Sequence, residues 1–314
     1  MEEALYSQFG FFNTDLVRSA KKGDFLTSPE VSIYFGKILR NWINTSCNLN
    51  KIVEIGSGTG SLIEQIGIKE ITAIELSSTA REELINKGIM THTNVNELTL
   101  EKSELVFGNE ILDNIPCSIG IYRDKVWYEK VVAIQENSFS YDIKPIRNEE
   151  LDWINKNNIV PNEDHELEIQ VNIDKFLNTV IKKISPKNIL LFDYGYEQAN
   201  REKRKYNSFL RTYKNHHLSV DPIEDPGNID ITYDVNFSSL SRELKTLGYD
   251  VTLKLQRNFL LENGFDIIFD ELQKKYLVAE GMEKLKINSE LNGLKAIVDS
   301  NGLGGFYCLN AQKL

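Results

Sequence analysis

Ile52-Val53-Glu54-Ile55-Gly56-Ser57-Gly58-Thr59-Gly60 is the stretch whose reading decides the fold. Its first four residues form a short run that reads as a buried strand. A helical pattern follows the glycines, with Leu62, Ile63 and Ile66 on one face. A second run, Ile71 to Ile74, ends at Glu75. Strand, glycine turn, helix, and a strand tipped by a carboxylate together predict a nucleoside site. Glycines let a ligand approach the backbone, and the carboxylate accepts hydrogen bonds from ribose hydroxyls.

The kind of nucleoside follows from the spacing. A dinucleotide fingerprint needs glycines at the first, third and sixth places. Here the third glycine, Gly60, comes one residue early, and Ser61 stands in its place. A pyrophosphate also wants a helix N-terminus aimed at it, whereas S-adenosylmethionine has no phosphate. Glu54 puts negative character beside the turn, which suits an ammonium or a sulfonium. The residues favour S-adenosylmethionine over NAD, and a glycine turn with no ligand is the third reading.

Composition narrows the class. The chain has 314 residues, 41% of them apolar, which is ordinary for a globular protein. With 36 basic and 46 acidic residues the net charge is −10, which argues against non-specific nucleic-acid binding. No apolar stretch is long enough to span a bilayer. Met1 to Phe12 holds early acids and no basic region, so no signal peptide is expected and the expected location is cytoplasmic. Cys47, Cys117 and Cys308 lack metal or redox spacing and read as reduced and structural. His92, His165, His216 and His217 are not arranged as a metal site, so no metal is expected.

The expected fold class is α/β, a Rossmann-like sheet with helices on both faces plus an accessory lobe. Strands are expected at 51–55, 71–75, 105–107 and 189–192, with the ends of the last two marked by Asn109-Glu110 and Asp193-Tyr194. Ser28, Pro29 and Glu30 predict the start of a helix that carries Val31, Phe35, Ile38, Leu39 and Trp42. A hairpin is expected from 125–134 and 138–146, helices near 148–157 and 172–184, and late strands at 250–255 and 305–309. The organisation reads as a helical segment with a cofactor lid at 1–48. The core is read at 49–116 and 185–314, with an insertion at 117–184.

Several segments in order resemble one family. They are Gly23 to Glu30, the turn at 54–60, Glu75-Leu76-Ser77, Asn109-Glu110-Ile111-Leu112-Asp113-Asn114-Ile115-Pro116, Asp193-Tyr194-Gly195, Leu210-Arg211, and Pro226 to Thr232 with Val235-Asn236-Phe237. Together they resemble the MidA-like S-adenosylmethionine-dependent methyltransferases. That family includes the mitochondrial complex I assembly arginine methyltransferase. The resemblance spans residues from about 20 to 240. It implies S-adenosylmethionine as cofactor and a protein, with arginine favoured, as methyl acceptor. A non-catalytic assembly factor on the same scaffold is the alternative. Two departures bear on the substrate: Asn236 stands where the family has an acid, and Ser208-Phe209 where it often has glycine-threonine.

Site residues follow from these readings. Glu54, Gly56, Ser57, Gly58, Gly60, Glu75 and Leu76 are the expected cofactor contacts. Thr27 and Ser28 are expected in a lid wall within its reach. Glu110 and Asp113, just past a strand end, are placed to fork around a guanidinium, with the Asn109 amide carbonyl beside the methyl. Asp193 and Tyr194 resemble family positions near the substrate; a structural Asp-Tyr pair is the other reading. Arg211 is expected to brace the lobe, and Arg201, Lys203, Arg204 and Lys205 to form a solvated face.

Overall fold

The computed structural model describes residues 1–13, 27–99, 102–136, 138–203, 210–214, 217–218 and 221–314. The chain divides into two compact units. One holds 15–111, 180–194 and 248–314; the other holds 1–14, 112–179 and 195–247.

The first of these is built on a seven-stranded sheet. Its strands are β1 (Ile52–Ile55), β2 (Ile71–Ile74), β3 (Thr91–His92), β4 (Leu105–Asn109), β5 (Asn188–Asp193), β6 (Tyr249–Leu255) and β7 (Tyr307–Lys313). Their order across the sheet is β6-β7-β5-β4-β1-β2-β3. β1 to β5 run parallel, while β7 is antiparallel to both β5 and β6. Every residue of β1 and of β5 is buried, which explains why neither strand alternates apolar with polar residues and why Glu54 is the one polar residue of β1. The order reverses at β1, whose neighbours are β2 and β4. In such sheets ligands bind beyond the strand ends at that reversal.

One face of the sheet packs on the helix Tyr34–Ser46. Ile52, Leu105, Phe107, Leu190 and Phe192 share a core with its Phe35, Ile38, Leu39, Trp42 and Ile43. Phe192 lies edge-on to both Phe35 and Phe259, with ring centroids 5.2 Å apart in each pair. Burying side chains of this size stabilises the fold by about 1.5–3 kcal/mol each. The expected single helix from Ser28 is broken in two. A short helix, Ser28–Val31, ends at Ser32, which is extended at φ −147°, before Tyr34–Ser46 begins. The Ser32 hydroxyl accepts the Tyr34 N–H at 3.4 Å, a local bond that competes with helix continuation.

The other unit contains a four-stranded antiparallel sheet, in the order 138–145, 126–135, 118–123, 166–169. The expected hairpin is therefore present, although Asn137 at its turn lies outside the described residues. The helix Asn148–Lys156 covers one face through Trp153 and Ile154, packed against Leu167 and Ile169. This unit also has a three-stranded sheet containing Leu210–Lys214 and Asp230–Tyr233, and a short parallel pair, Gly195–Tyr196 with Val235–Asn236. Asn236 caps the helix Phe237–Thr246: its Oδ1 accepts the Ser239 N–H at 3.1 Å, and its Nδ2 donates to Gln198. An acid there could keep the first bond but not the second. Arg211 pairs with the buried carboxylate of Asp234. No helix among the described residues is long and apolar enough to cross a membrane.

Candidate functional site

The site is assembled at the carboxyl ends of β1, β2, β4 and β5, which lie side by side. After β1 the chain turns through Gly56, Gly58 and Gly60, at φ +69°, +51° and +84°. L-residues rarely adopt this region, so the turn depends on glycine. The Gly56 N–H donates to the carbonyl of Ile74 at 2.8 Å, tying the turn to the end of β2. A Cβ on Gly56 would meet Ile111 Cγ2 at 2.3 Å, so the turn sits directly on the loop that follows β4. Gly60 begins the helix Ser61–Ile66.

Glu75 faces this turn. Its Oε2 accepts the Gly58 N–H and its Oε1 the Ser77 N–H, both at 2.8 Å. A carboxylate has about four acceptor sites, so capacity remains for two hydroxyls. Arg81 Nη1 donates to the carbonyls of Glu75, at 2.9 Å, and Leu76, which fixes the loop from behind. Leu76 is 52% exposed and offers apolar surface next to the carboxylate. Burial raises the pKa of Glu75, opposed by the two backbone N–H groups and by Arg81.

Glu54 is buried in β1, and its Oε2 has no hydrogen-bond partner among the described residues. Burial raises its pKa well above the carboxylate range; Ser57 opposes the shift and the charge on Glu75 adds to it. A buried carboxyl with an unused oxygen is costly unless something cationic or donating completes it.

The loop after β4 supplies the next groups. Glu110 has φ +54°, unusual for a non-glycine residue, and its N–H donates to the Phe192 carbonyl at 2.8 Å. Asn109 Nδ2 donates to Glu110 Oε1 at 3.0 Å, while Asn109 Oδ1 is buried with no partner among the described residues. Asp193 is fully buried and joins two loops: it accepts the Ile111 N–H at 3.2 Å and the Tyr194 N–H at 2.9 Å. Through Ile111, it thus also seats the glycine turn. The Tyr194 ring lies edge-on to Phe306 at 5.4 Å.

The structure thus brings together Glu54, Gly56, Ser57, Gly58, Gly60, Glu75, Leu76, Asn109, Glu110, Asp193 and Tyr194. Asp113 is buried and belongs to the other unit, where its carbonyl accepts the Tyr233 N–H. Thr27 precedes the helix Ser28–Val31. Ser28 is fully buried, and its hydroxyl lies 3.2 and 3.0 Å from the two amide atoms of Gln256. The rest of the expected lid wall, Gly23 to Leu26, lies outside the described residues, as do Arg204, Lys205, Ser208, Phe209 and His216. Arg81 and Ile111 were not picked out from the sequence. An arginine six residues beyond Glu75 reads as a helix surface, and Ile111 reads as core.

The sequence profile of a family described as "Putative S-adenosyl-L-methionine-dependent methyltransferase" matches residues 36–253. The chain belongs to this family. Its cofactor is S-adenosylmethionine, and the MidA-like resemblance is borne out. Among curated relatives, the chain is 25% identical over 309 residues to "Protein arginine methyltransferase NDUFAF7 homolog, mitochondrial" of Caenorhabditis elegans, covering 83% of this chain and 70% of that one. It is 25% identical to the rat protein of that description over 79% of this chain and 65% of that one. The chain thus spans about two thirds of these relatives' length. The fold matches a crystal structure from Burkholderia thailandensis bound to S-adenosyl-homocysteine, with TM-score 0.85, 22% identity, and coverage of 99% of this chain and 86% of that one.

The residues present fit this cofactor. Glu75 keeps acceptor capacity for ribose hydroxyls, and Leu76 offers an apolar edge for a base. The unpartnered Glu54 oxygen suits a cationic group, and the glycine turn lets it come close to the backbone.

Proposed function

We propose that this methyltransferase acts on a protein and that arginine is the acceptor. The observation that carries the reading is the end of β4. There the Glu110 carboxylate accepts from the Asn109 amide, whose own carbonyl oxygen is buried with no partner among the described residues. The names of the curated relatives support the same acceptor.

When bound, the cofactor supplies an electrophilic methyl group on a sulfonium. The chain's task is to hold the acceptor in line and dry. A guanidinium stays protonated at neutral pH, so its nitrogens are poor nucleophiles until charge is drawn to one side. Glu110 is placed to accept two of its N–H groups, which concentrates positive charge away from the attacking nitrogen. Asn109 Oδ1 is placed to accept a third and fix the plane of the group. As the attacking nitrogen took the methyl, the methyl–sulfur bond would break and one proton would pass from the nitrogen to solvent, leaving a product that is still a cation paired to Glu110. Asp193 acts through the loops it holds and is a positioning residue.

Incubation of the purified chain with labelled S-adenosylmethionine and a protein extract tests this reading. Methylarginine is expected in one or a few proteins, and is expected to vanish with Glu110→Gln while cofactor titration stays unchanged. Label on another residue type would overturn the arginine assignment. Tight cofactor binding with no labelled protein would favour a non-catalytic assembly factor.

A further inference from the structure

Among the described residues, the hairpin of the second unit has an exposed apolar face. In register, Ile134 stands opposite Phe139, Val132 opposite Tyr141, and Lys130 opposite Ile143. Cross-strand partners share a face, so these side chains form one patch. Ile134 is 75% exposed, Val132 53% and Phe139 48%. Along 138–145 the alternation is strict: Ser138, Ser140, Asp142 and Lys144 are polar, while Phe139, Tyr141 and Ile143 are not. Such a pattern ordinarily faces a core. Here it faces outward, and contiguous exposed apolar surface of this kind marks an interaction site.

The surroundings say what would cover it. Tyr141 Oη donates to Asp221, which brings the segment 221–224 against the apolar side of the hairpin. Between them lies a cavity of about 460 Å³ lined by Ser138, Phe139, Asp221, Ile223 and Glu224. Its apolar lining residues are Phe139 and Ile223, and its charged ones, Asp221 and Glu224, are acidic. The nearby cation, Lys130, is paired with Glu166 at 2.6 Å and sits 4.0 Å above the Tyr141 ring. The strand 138–145 is also the edge of its sheet among the described residues, so its outer backbone is available to an added strand.

We propose that this hairpin and the 221–224 segment form a docking surface for an extended, cationic stretch of the substrate protein. Apolar side chains of that stretch lie on Phe139 and Ile134, and its basic side chains meet Asp221 and Glu224. The inference rests on the protein-substrate reading above. A second copy of the chain fits poorly: a two-fold contact repeats the same patch on both sides and would set these acids against their own copies. An anionic lipid surface is repelled by the same carboxylates.

The test uses the full chain and a fluorescein-labelled octapeptide of alternating arginine and valine, with alternating glutamate and valine as control. Anisotropy is expected to show micromolar binding of the first and none of the second. Ile134→Ser with Phe139→Ser is expected to weaken binding by about tenfold or more. Glu224→Lys, on a different segment, is expected to weaken it several-fold. Unchanged circular dichroism and thermal unfolding in both variants show that they are folded. Equal peptide binding by wild type and both variants would overturn the surface, as would equal binding of the glutamate peptide. A dimer that the hairpin variant dissociates in ultracentrifugation would assign the patch to a second copy instead. So would phosphatidylserine vesicle binding assign it to lipid, if the same variant abolished it. The two readings separate cleanly. Protein methylation with unaltered kcat/KM in both variants sinks the docking surface alone. Variant-sensitive peptide binding without any protein methylation sinks the methyl-transfer reading alone.

Discussion

Glu54 and Glu75 show how one local environment sets a pH dependence. Glu54 is buried and Glu75 is partly so; both have raised pKa values, and desolvation is the leading cause for each. A raised acid pKa means that its neutral form is the comfortable one in the fold. Its contribution to stability is full below the ordinary value near 4.5 and is lost as pH rises through the folded value. Glu54→Gln removes that titration. Without cofactor, the thermal midpoint of this variant is expected to gain on wild type as pH rises from about 4.5 towards 8. A difference that stays flat with pH, measured by scanning calorimetry, would remove Glu54 from this role. The cofactor has the opposite dependence, because a cationic ligand needs ionised carboxylates. S-adenosylmethionine affinity is expected to fall as pH drops through the raised values, and titration calorimetry between pH 5 and 8 reads this directly.

Single substitutions divide binding from chemistry. Glu75→Ala removes the proposed ribose acceptor and leaves the Gly58 N–H without its partner, so cofactor binding is expected to fall about a hundredfold or more. Glu110→Gly should differ from Glu110→Ala in stability although both delete the carboxylate. Glycine tolerates φ +54° and alanine does not, so the alanine variant is expected to be less stable by about 1 kcal/mol. Chemical denaturation compares the two, and both are expected to bind cofactor and transfer nothing.

At the scale of elements, the glycine turn and the loop after β4 are one mechanical piece. Gly56→Ala is expected to cost more than its backbone strain alone, because the new Cβ drives into Ile111, which Asp193 holds in place. Pairing it with Ile111→Val should recover part of the lost cofactor affinity; no recovery in the double variant would show that strain alone is at work. The cap at Asn236 gives a contrast. Asn236→Asp keeps the bond to Ser239 and should hold the thermal midpoint more closely than Asn236→Ala, which is expected to lose about 1 kcal/mol. The same comparison bears on the substrate, since the family resemblance implies an acid where Asn236 stands. A cap explains that position without any contact to an acceptor.

For the whole molecule, cofactor binding should be visible as a pattern of protection. Ligand at a hundred times its Kd adds about 2.7 kcal/mol to the state that binds it. Hydrogen exchange is expected to slow first at residues 54–60, 75–77 and 109–111, which meet at the strand ends, and least in the four-stranded sheet. Protection centred on residues 118–145 instead would place the cofactor elsewhere.

The strand ends and glycine turn of the candidate site were legible in the chain because their signals are local. β1, β2, β4 and β5 are largely apolar runs closed by polar residues or glycine, and Glu54, the turn and Glu75 lie within 22 residues of one another. Each is required by backbone conformation or by short-range spacing, so the pattern survives in one dimension. Other features depend on partners far apart in sequence. Ser28 reads as a helix cap near a lid, yet its hydroxyl belongs to Gln256, 228 residues away. Asp193 reads as a possible substrate contact, yet its carboxylate holds Ile111, 82 residues earlier. The late strands read as strands, but only pairing shows that β7 lies between β5 and β6 and runs antiparallel to both. Nor does the alternation along 138–145 say whether its apolar face meets a core or solvent. Periodicity fixes which residues share a face, and only the packing of distant segments decides what that face meets.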